Sequence, residues 1–117
     1  ANNENDIVIE PNCTALIPTG LYMAVPAGFE LQVRSRSGLA AKNQVFVLNT
    51  PGTVDSDYRG EVKVILHNAS RLPFVVHTGD RIAQGVICPV VHAVWNIVES
   101  LESSDRGEGG FGSTGVK

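Results

Sequence analysis

The chain has 117 residues, of which 43% are hydrophobic and 18% charged, and a formal net charge of −3. This suits one compact domain with a modest core. The acidic balance argues against general binding to a nucleic-acid backbone, which rewards clustered Lys and Arg. No apolar run is long enough to cross a bilayer as a helix, and no stretch has the pattern of a secretion signal.

Taken in chain order, the sequence is read in short segments. Cys13 and Cys88 sit far apart among apolar neighbours. They are expected to be two buried free thiols of a reducing compartment, with a single disulfide as the alternative. Pro18, Gly20 and Pro26-Ala27-Gly28 punctuate the first third. Phe29, Leu31 and Val33 then alternate with Glu30, Gln32 and Arg34, which predicts a strand with one face on a core. Residues 37–41 predict one helical turn with Ser37 as its cap. Two short strands are expected to pair as a hairpin across Pro51-Gly52. Val62, Val64 and Leu66 alternate with Glu61 and Lys63, although Ile65 interrupts the polar face. After the turn residues Thr78-Gly79-Asp80 and Pro89, residues 90–98 predict a last strand containing Trp95. Residues 100–105 read as a polar joint, and a glycine-rich arm begins at Arg106. There is no long 3.6-residue period and no internal repeat. The fold class is therefore all-β, a sandwich or a jelly-roll-like barrel. His67, His77 and His92 are dispersed without metal-ligand spacing and read as ordinary surface or core histidines.

Four constellations carry candidate chemistry. Arg34-Ser35-Arg36-Ser37-Gly38-Leu39-Ala40 follows a strand and opens a helical turn. Free N–H groups, a hydroxyl and two guanidiniums there suit an anion, and a capped strand end with solvated arginines is the plainer reading. The segment from Asn49 to Gly60 carries Asp55 and Asp57, which share a face on a strand but need not in a turn. Two carboxylates can hold different protonation states, or simply stabilise an acidic turn. Gly79-Asp80-Arg81-Ile82-Ala83-Gln84 reads as a tight turn with a surface Asp80–Arg81 ion pair, leaving the Gln84 amide in need of partners. The last segment, Arg106-Gly107-Glu108-Gly109-Gly110-Phe111-Gly112-Ser113-Thr114-Gly115, combines a phosphate clamp, a ring that stacks on a base and two hydroxyls on a pliable backbone. A disordered tail is the alternative.

In order and in sum, these segments resemble the trimeric deoxyuridine triphosphate nucleotidohydrolases (dUTPases). The matching motifs are RSGLA at 36–40, GTVDSDYRG at 52–60, GDRIAQ at 79–84 and RGEGGFGSTG at 106–115. One motif departs. The family's Ala-Gly-x-Asp-Leu is expected just before Ala1, which looks like the small residue that follows it. The first strand and its magnesium-water Asp are thus expected to be missing from a chain that does not begin with Met.

The resemblance implies a jelly-roll-like β domain at 1–105, a flexible arm at 106–117, and a homotrimer with sites between subunits. It implies hydrolysis of dUTP to dUMP and pyrophosphate, which limits uracil incorporation into DNA and supplies the thymidylate precursor. Asp55 matches the general base. Arg36, Ser37, the Gly38 N–H, Gln84, Arg106, Ser113 and Thr114 match phosphate-contacting groups. Asn49 and the backbone of Gly52 and Val54 match the uracil site, with Tyr58 against the deoxyribose and Phe111 stacked on the base. Asp57 and Arg59 are read as structural. Mg²⁺ is implied, held mainly by the triphosphate and waters with no metal ligand assigned in the chain. The implied partners are dUTP and the chain itself, with neither nucleic acid nor membrane, in the cytoplasm (or a nucleus or organelle). A dCTP deaminase of the same fold and a noncatalytic nucleotide-switched module are the alternatives.

Overall fold

The computed structural model describes residues 1–116. Eight strands and one short helix are β1 (Ile7–Ile9), β2 (Thr14–Tyr22), β3 (Phe29–Arg34), α1 (Ser37–Asn43), β4 (Val45–Val47), β5 (Gly52–Val54), β6 (Glu61–Asn68), β7 (Phe74–Val76) and β8 (Gln84–Pro89). They form three antiparallel sheets in the orders β1-β7, β2-β6-β4 and β5-β3-β8. The molecule is an all-β, jelly-roll-like barrel, as its period of two demands.

Period two also places the core. Val62, Val64 and Leu66 of β6 are buried, and Leu31 and Val33 of β3 join them. Phe29 starts β3 and stays exposed. β2 bulges between Pro18 and Leu21, where Gly20 takes φ +71°. Asn68 continues the buried face of β6 and puts an amide in the core, where every group finds a partner. Its Nδ2 donates to the carbonyls of Ile9 (2.8 Å) and Leu72 (2.7 Å), and its Oδ1 accepts from Ser70 N–H (2.9 Å) and Ser70 Oγ (2.7 Å). This ties β1 to the end of β6. The N-terminal segment is sewn down by Ala1 N to Asp80 O (2.8 Å), Gly79 N to Ala1 O (2.9 Å) and Asn2 N to Pro18 O (2.8 Å).

Several expectations are corrected. Residues 90–98 form no strand, and Val91, Val94, Trp95 and Ile97 are each more than 90% exposed. Their apolarity encodes burial, but the single chain offers them no partner. The radius of gyration, 19.1 Å, exceeds the ~13 Å of a compact chain of this length, because this segment and the arm extend away. β4 and β5 do not pair with each other. β4 pairs with β6 and β5 with β3, so each buries its apolar face in a different sheet. The helix runs two residues further than expected. Arg36 occupies its cap position, so Ser37 is the first helical residue and makes no cap bond. Gln44 ends it in the left-handed conformation, its N–H bonded to Leu39 O. Cys13 is exposed and Cys88 half-buried, both free, so neither thiol is buried and no disulfide joins them.

Asp80 does not pair with Arg81. Its carboxylate accepts the His77 N–H (2.8 Å) and closes the turn containing Gly79 at φ +88°. His77 Nδ1 lies 2.9 Å from Asp6. The hydrogen bond and charge of Asp6, with a smaller contribution from Asp80, raise the imidazole pKa above its ordinary value.

Candidate active site

The end of β3 leads directly into α1, and this junction carries the anion-binding candidates. Arg34 is folded back on its own strand, its guanidinium donating to Gln32 Oε1 at 2.8 and 3.1 Å. Arg36 reaches across to Arg81 O (3.1 Å), which ties the helix start to the segment before β8. Ser37 and Gly38 are exposed at the first turn of α1, with no side-chain cap competing for their N–H groups. Gln84 opens β8 opposite Arg34 and donates to Ser35 O (2.9 Å), which supplies the partner its amide required. Its Oε1 accepts no hydrogen bond from the described residues.

The Asp-bearing segment forms a second cluster. Gly52 is buried against Val33, and a Cβ there would lie 3.2 Å from Asn49 Nδ2, so the Asn49 amide and the Gly52 backbone share one small space. β5 ends at Val54, and Tyr58 N–H bonds to Asp55 O (3.1 Å) to make the turn. The turn is held by Arg59, which donates to the carbonyls of Ser56 (2.7 Å) and Tyr58 (3.0 Å) rather than pairing with Asp57. The Tyr58 ring lies over Gly60 and its hydroxyl donates to Glu61 O (2.8 Å). A side chain at 60 would meet the phenol, so glycine lets the ring lie where it does.

Asp55, Val54 and Tyr58 line one cleft of about 340 Å³ with Thr53, Glu61 and Lys63. Asp57 is not among its walls. Sequence reasoning missed Thr53, Glu61 and Lys63 as cleft residues. The signal was present, since Glu61 and Lys63 lie on the polar face of the strand that follows the Asp turn. Arg36 and Gln84 line a different cleft of about 620 Å³ between the sheets, walled by Leu21, Val62 and Val64 on one side and Leu31, Val33 and Ile87 on the other. Within one chain the carboxylate and the phosphate candidates therefore face separate spaces.

The arm joins neither. Arg106 Nε bonds to Gly109 O, Ser113 N to Gly110 O (3.1 Å) and Gly115 N to Gly112 O (2.9 Å), so its hydrogen bonds are local. Phe111 is fully exposed. Arg106, Phe111, Ser113 and Thr114 are not brought to either cleft in the single chain.

The dUTPase family model matches residues 2–115. The chain belongs to the dUTPase family. It is 56% identical over 114 residues to the deoxyuridine 5'-triphosphate nucleotidohydrolase of Maricaulis maris, covering 97% of this chain and 75% of that protein. It is 55% identical over 113 residues to the enzyme of the same name from Ehrlichia canis, covering 95% and 74%. Among solved structures, a mutant dUTPase of Staphylococcus bacteriophage 80alpha with dUpNHpp superposes with a TM-score of 0.82 at 28% identity, covering 95% of this chain and 81% of that one. Another structure of the bacteriophage 80alpha dUTPase with dUpNHpp gives 0.79 at 28% identity, covering 96% of this chain and 82% of that one. The family match takes in both clusters and the arm.

Proposed function

We propose that the chain hydrolyses dUTP to dUMP and pyrophosphate with Asp55 as the base, the reading that its family membership and the Asp55–Tyr58 cleft support best. The single observation that carries the site is the 340 Å³ cleft, which is lined by the Asp55 carboxylate and the Tyr58 ring together with Thr53 and Val54 of β5. Asp55 orients a water and takes its proton as the water oxygen attacks the α-phosphorus. The bond from that phosphorus to the bridging oxygen breaks, and pyrophosphate leaves with the electron pair. A carboxylate is a weak base for water, so positioning supplies much of the barrier reduction. Uracil meets Asn49 and the backbone of Gly52 and Val54. Cytosine leaves those groups unpaired, and thymine sets its methyl group against the wall. Tyr58 packs under the deoxyribose and excludes a 2′-hydroxyl.

Arg36, Ser37, the Gly38 N–H and the free side of the Gln84 amide contact the phosphates. Among the described residues no three His, Cys, Asp or Glu side chains gather into a metal cage. Mg²⁺ keeps several waters and takes phosphate oxygens, so the phosphate contacts of Arg36, Ser37, Gly38 and Gln84 would hold it through the triphosphate. When bound, the ion neutralises charge on the triphosphate and its leaving group.

The functional unit is a homotrimer in which each site is completed by neighbours. The chain exposes 8924 Å², against ~6200 Å² for a folded monomer of its mass. The apolar segment at 90–101 and the arm both contribute to the excess, and the apolar segment reaches a second copy. The separation of Asp55 from Arg36 and Gln84 within one chain is the second support. Residues 1–105 form the domain and 106–117 the arm, whose last residue, Lys117, lies outside the described residues. In the trimer Arg106 clamps the γ-phosphate, Phe111 stacks on uracil, and Ser113 and Thr114 add phosphate bonds. No helix of the described residues is long and apolar enough to cross a membrane, and the enzyme works in the cytoplasm.

Pyrophosphate release measured with dUTP, dCTP and dTTP tests this. Release from dUTP alone is expected. Deamination of dCTP, or nucleotide binding without any release, overturns it.

A further inference from the structure

Ser35 stands between β3 and α1 and is bonded to three other parts of the molecule. Its hydroxyl accepts the Val47 N–H (2.9 Å), its own N–H donates to Thr50 Oγ1 (3.3 Å), and its carbonyl accepts the Gln84 side chain (2.9 Å). β4 is an edge strand of its sheet, and the next N–H along it, that of Leu48, turns inward to Ile65 O. The Val47 N–H therefore points off the free edge, and the Ser35 hydroxyl is its acceptor. Thr50 is itself held by Thr50 N to Val47 O (3.1 Å), so Ser35, Val47 and Thr50 close a small ring.

The position of this ring gives it a consequence. Two and three residues beyond Ser35 lie Ser37 and Gly38, and two beyond Thr50 lies Gly52 against the Asn49 amide. Ser35 is half-buried and its hydrogen-bonding groups are directed at protein rather than at a ligand. We propose that Ser35 is a positioning residue, fixing the loop Arg36-Ser37-Gly38 against the Asn49–Gly52 segment and Gln84. This rests on the dUTP-hydrolysis reading above for what those two segments bind. A reaction driven by placement is sensitive to ångström-scale displacement of one anchoring segment relative to another. Without the hydroxyl, the Val47 N–H has no acceptor on a half-buried edge, and the loop loses its tie to β4.

Ser35→Ala tests the role. Turnover of dUTP should fall about ten-fold, the rate equivalent of one net hydrogen bond. Binding of dUMP, set mainly by base and sugar contacts, should change far less than turnover. Ser35→Thr keeps the hydroxyl and should restore turnover. On the protein without nucleotide, amide hydrogen exchange should quicken at Val47 in Ser35→Ala and at Ser35 in Thr50→Val. Unchanged turnover, a parallel loss of turnover and dUMP binding, no rescue by threonine, or unaltered exchange at Val47 each overturns the proposal. If the parent chain releases no pyrophosphate from dUTP, the functional reading fails, and the exchange rates alone then decide whether Ser35 ties the two segments. If Ser35→Ala does not fold, Thr50→Val against Thr50→Ser carries the same test. Valine should lower turnover and serine keep it, and equal rates overturn the role.

Discussion

Gly60→Ala should alter the sugar gate without disturbing the fold. Gly60 does not have a positive φ, so alanine suits its backbone. The obstacle is the Tyr58 phenol, whose Oη and Cζ would lie inside contact distance of a new Cβ. Those atoms are the far end of a side chain that is 45% exposed, so the ring can swing away at little cost to stability. In doing so it must release its hydrogen bond to Glu61 O, now 2.8 Å. One net hydrogen bond plus part of the ring's packing amounts to about 1–2 kcal/mol, or roughly five- to thirty-fold in kcat/KM for dUTP. Because the ring that moves is the one proposed to lie under the sugar, the ratio of kcat/KM for dUTP over UTP should narrow as well. Pyrophosphate release with each nucleotide reads both effects. In a Tyr58→Ala background nothing remains for the new methyl group to displace, so Gly60→Ala should cost almost nothing there. An equal penalty in both backgrounds, or full dUTP activity in the single variant, refutes the reasoning.

Asp55→Asn should keep dUTP binding by calorimetry and lose roughly 10²- to 10⁴-fold in kcat, the usual worth of a positioned base; near-normal turnover removes Asp55 from that role. Trp95→Asp changes a residue that is 91% exposed in one chain, so it should leave the β domain folded and break the trimer. An unchanged mass by light scattering refutes the contact. Deleting residues 106–117 should cut turnover strongly and leave the trimer intact, and full activity in the deletion makes the glycine-rich end a mere tail. The His77–Asp6 pair gives a pH signature. The folded pKa of His77 is raised from 6.5, so its stabilisation is complete below that value and is lost as pH rises through the folded pKa. Asp6→Asn should flatten the thermal midpoint across that window, and an unaltered pH profile rules the pair out.

What was legible in the sequence was whatever a single strand encodes about itself. The alternation of Val62, Val64 and Leu66 states which face is buried, and the structure buries all three. The same period extended two residues would have placed Asn68 in the core, but a polar residue at a strand end reads as the start of a loop. Its partners, Ile9 O and Ser70, become visible only once β1 and the turn after β6 are placed. Pairing was less legible than periodicity. Residues flanking Pro51-Gly52 look like a hairpin by proximity, yet Val45↔Asn68 and Leu31↔Val54 are the pairs that form, because each joins two apolar faces. Cys13 and Cys88 show that apolar neighbours in sequence do not determine a residue's own burial.

The candidate site shows the same division. Asp55 and Tyr58 were found by motif, and the structure sets both on one cleft. Ser35 was noticed only as part of a basic loop, since nothing local announces that its hydroxyl serves a strand twelve residues away. The segment at 90–98 is the most instructive case. Hydrophobicity specifies that a surface must be covered and is silent on which molecule covers it. Val91, Val94, Trp95 and Ile97 obey a strand-like pattern with no strand to pair with, and they lie immediately before the arm that carries Arg106 and Phe111. An apolar segment seeking a second copy and an arm needing a distant site are solved by one arrangement. In the proposed homotrimer the segment would anchor on a neighbour, and by doing so would deliver the arm to a cleft of another chain.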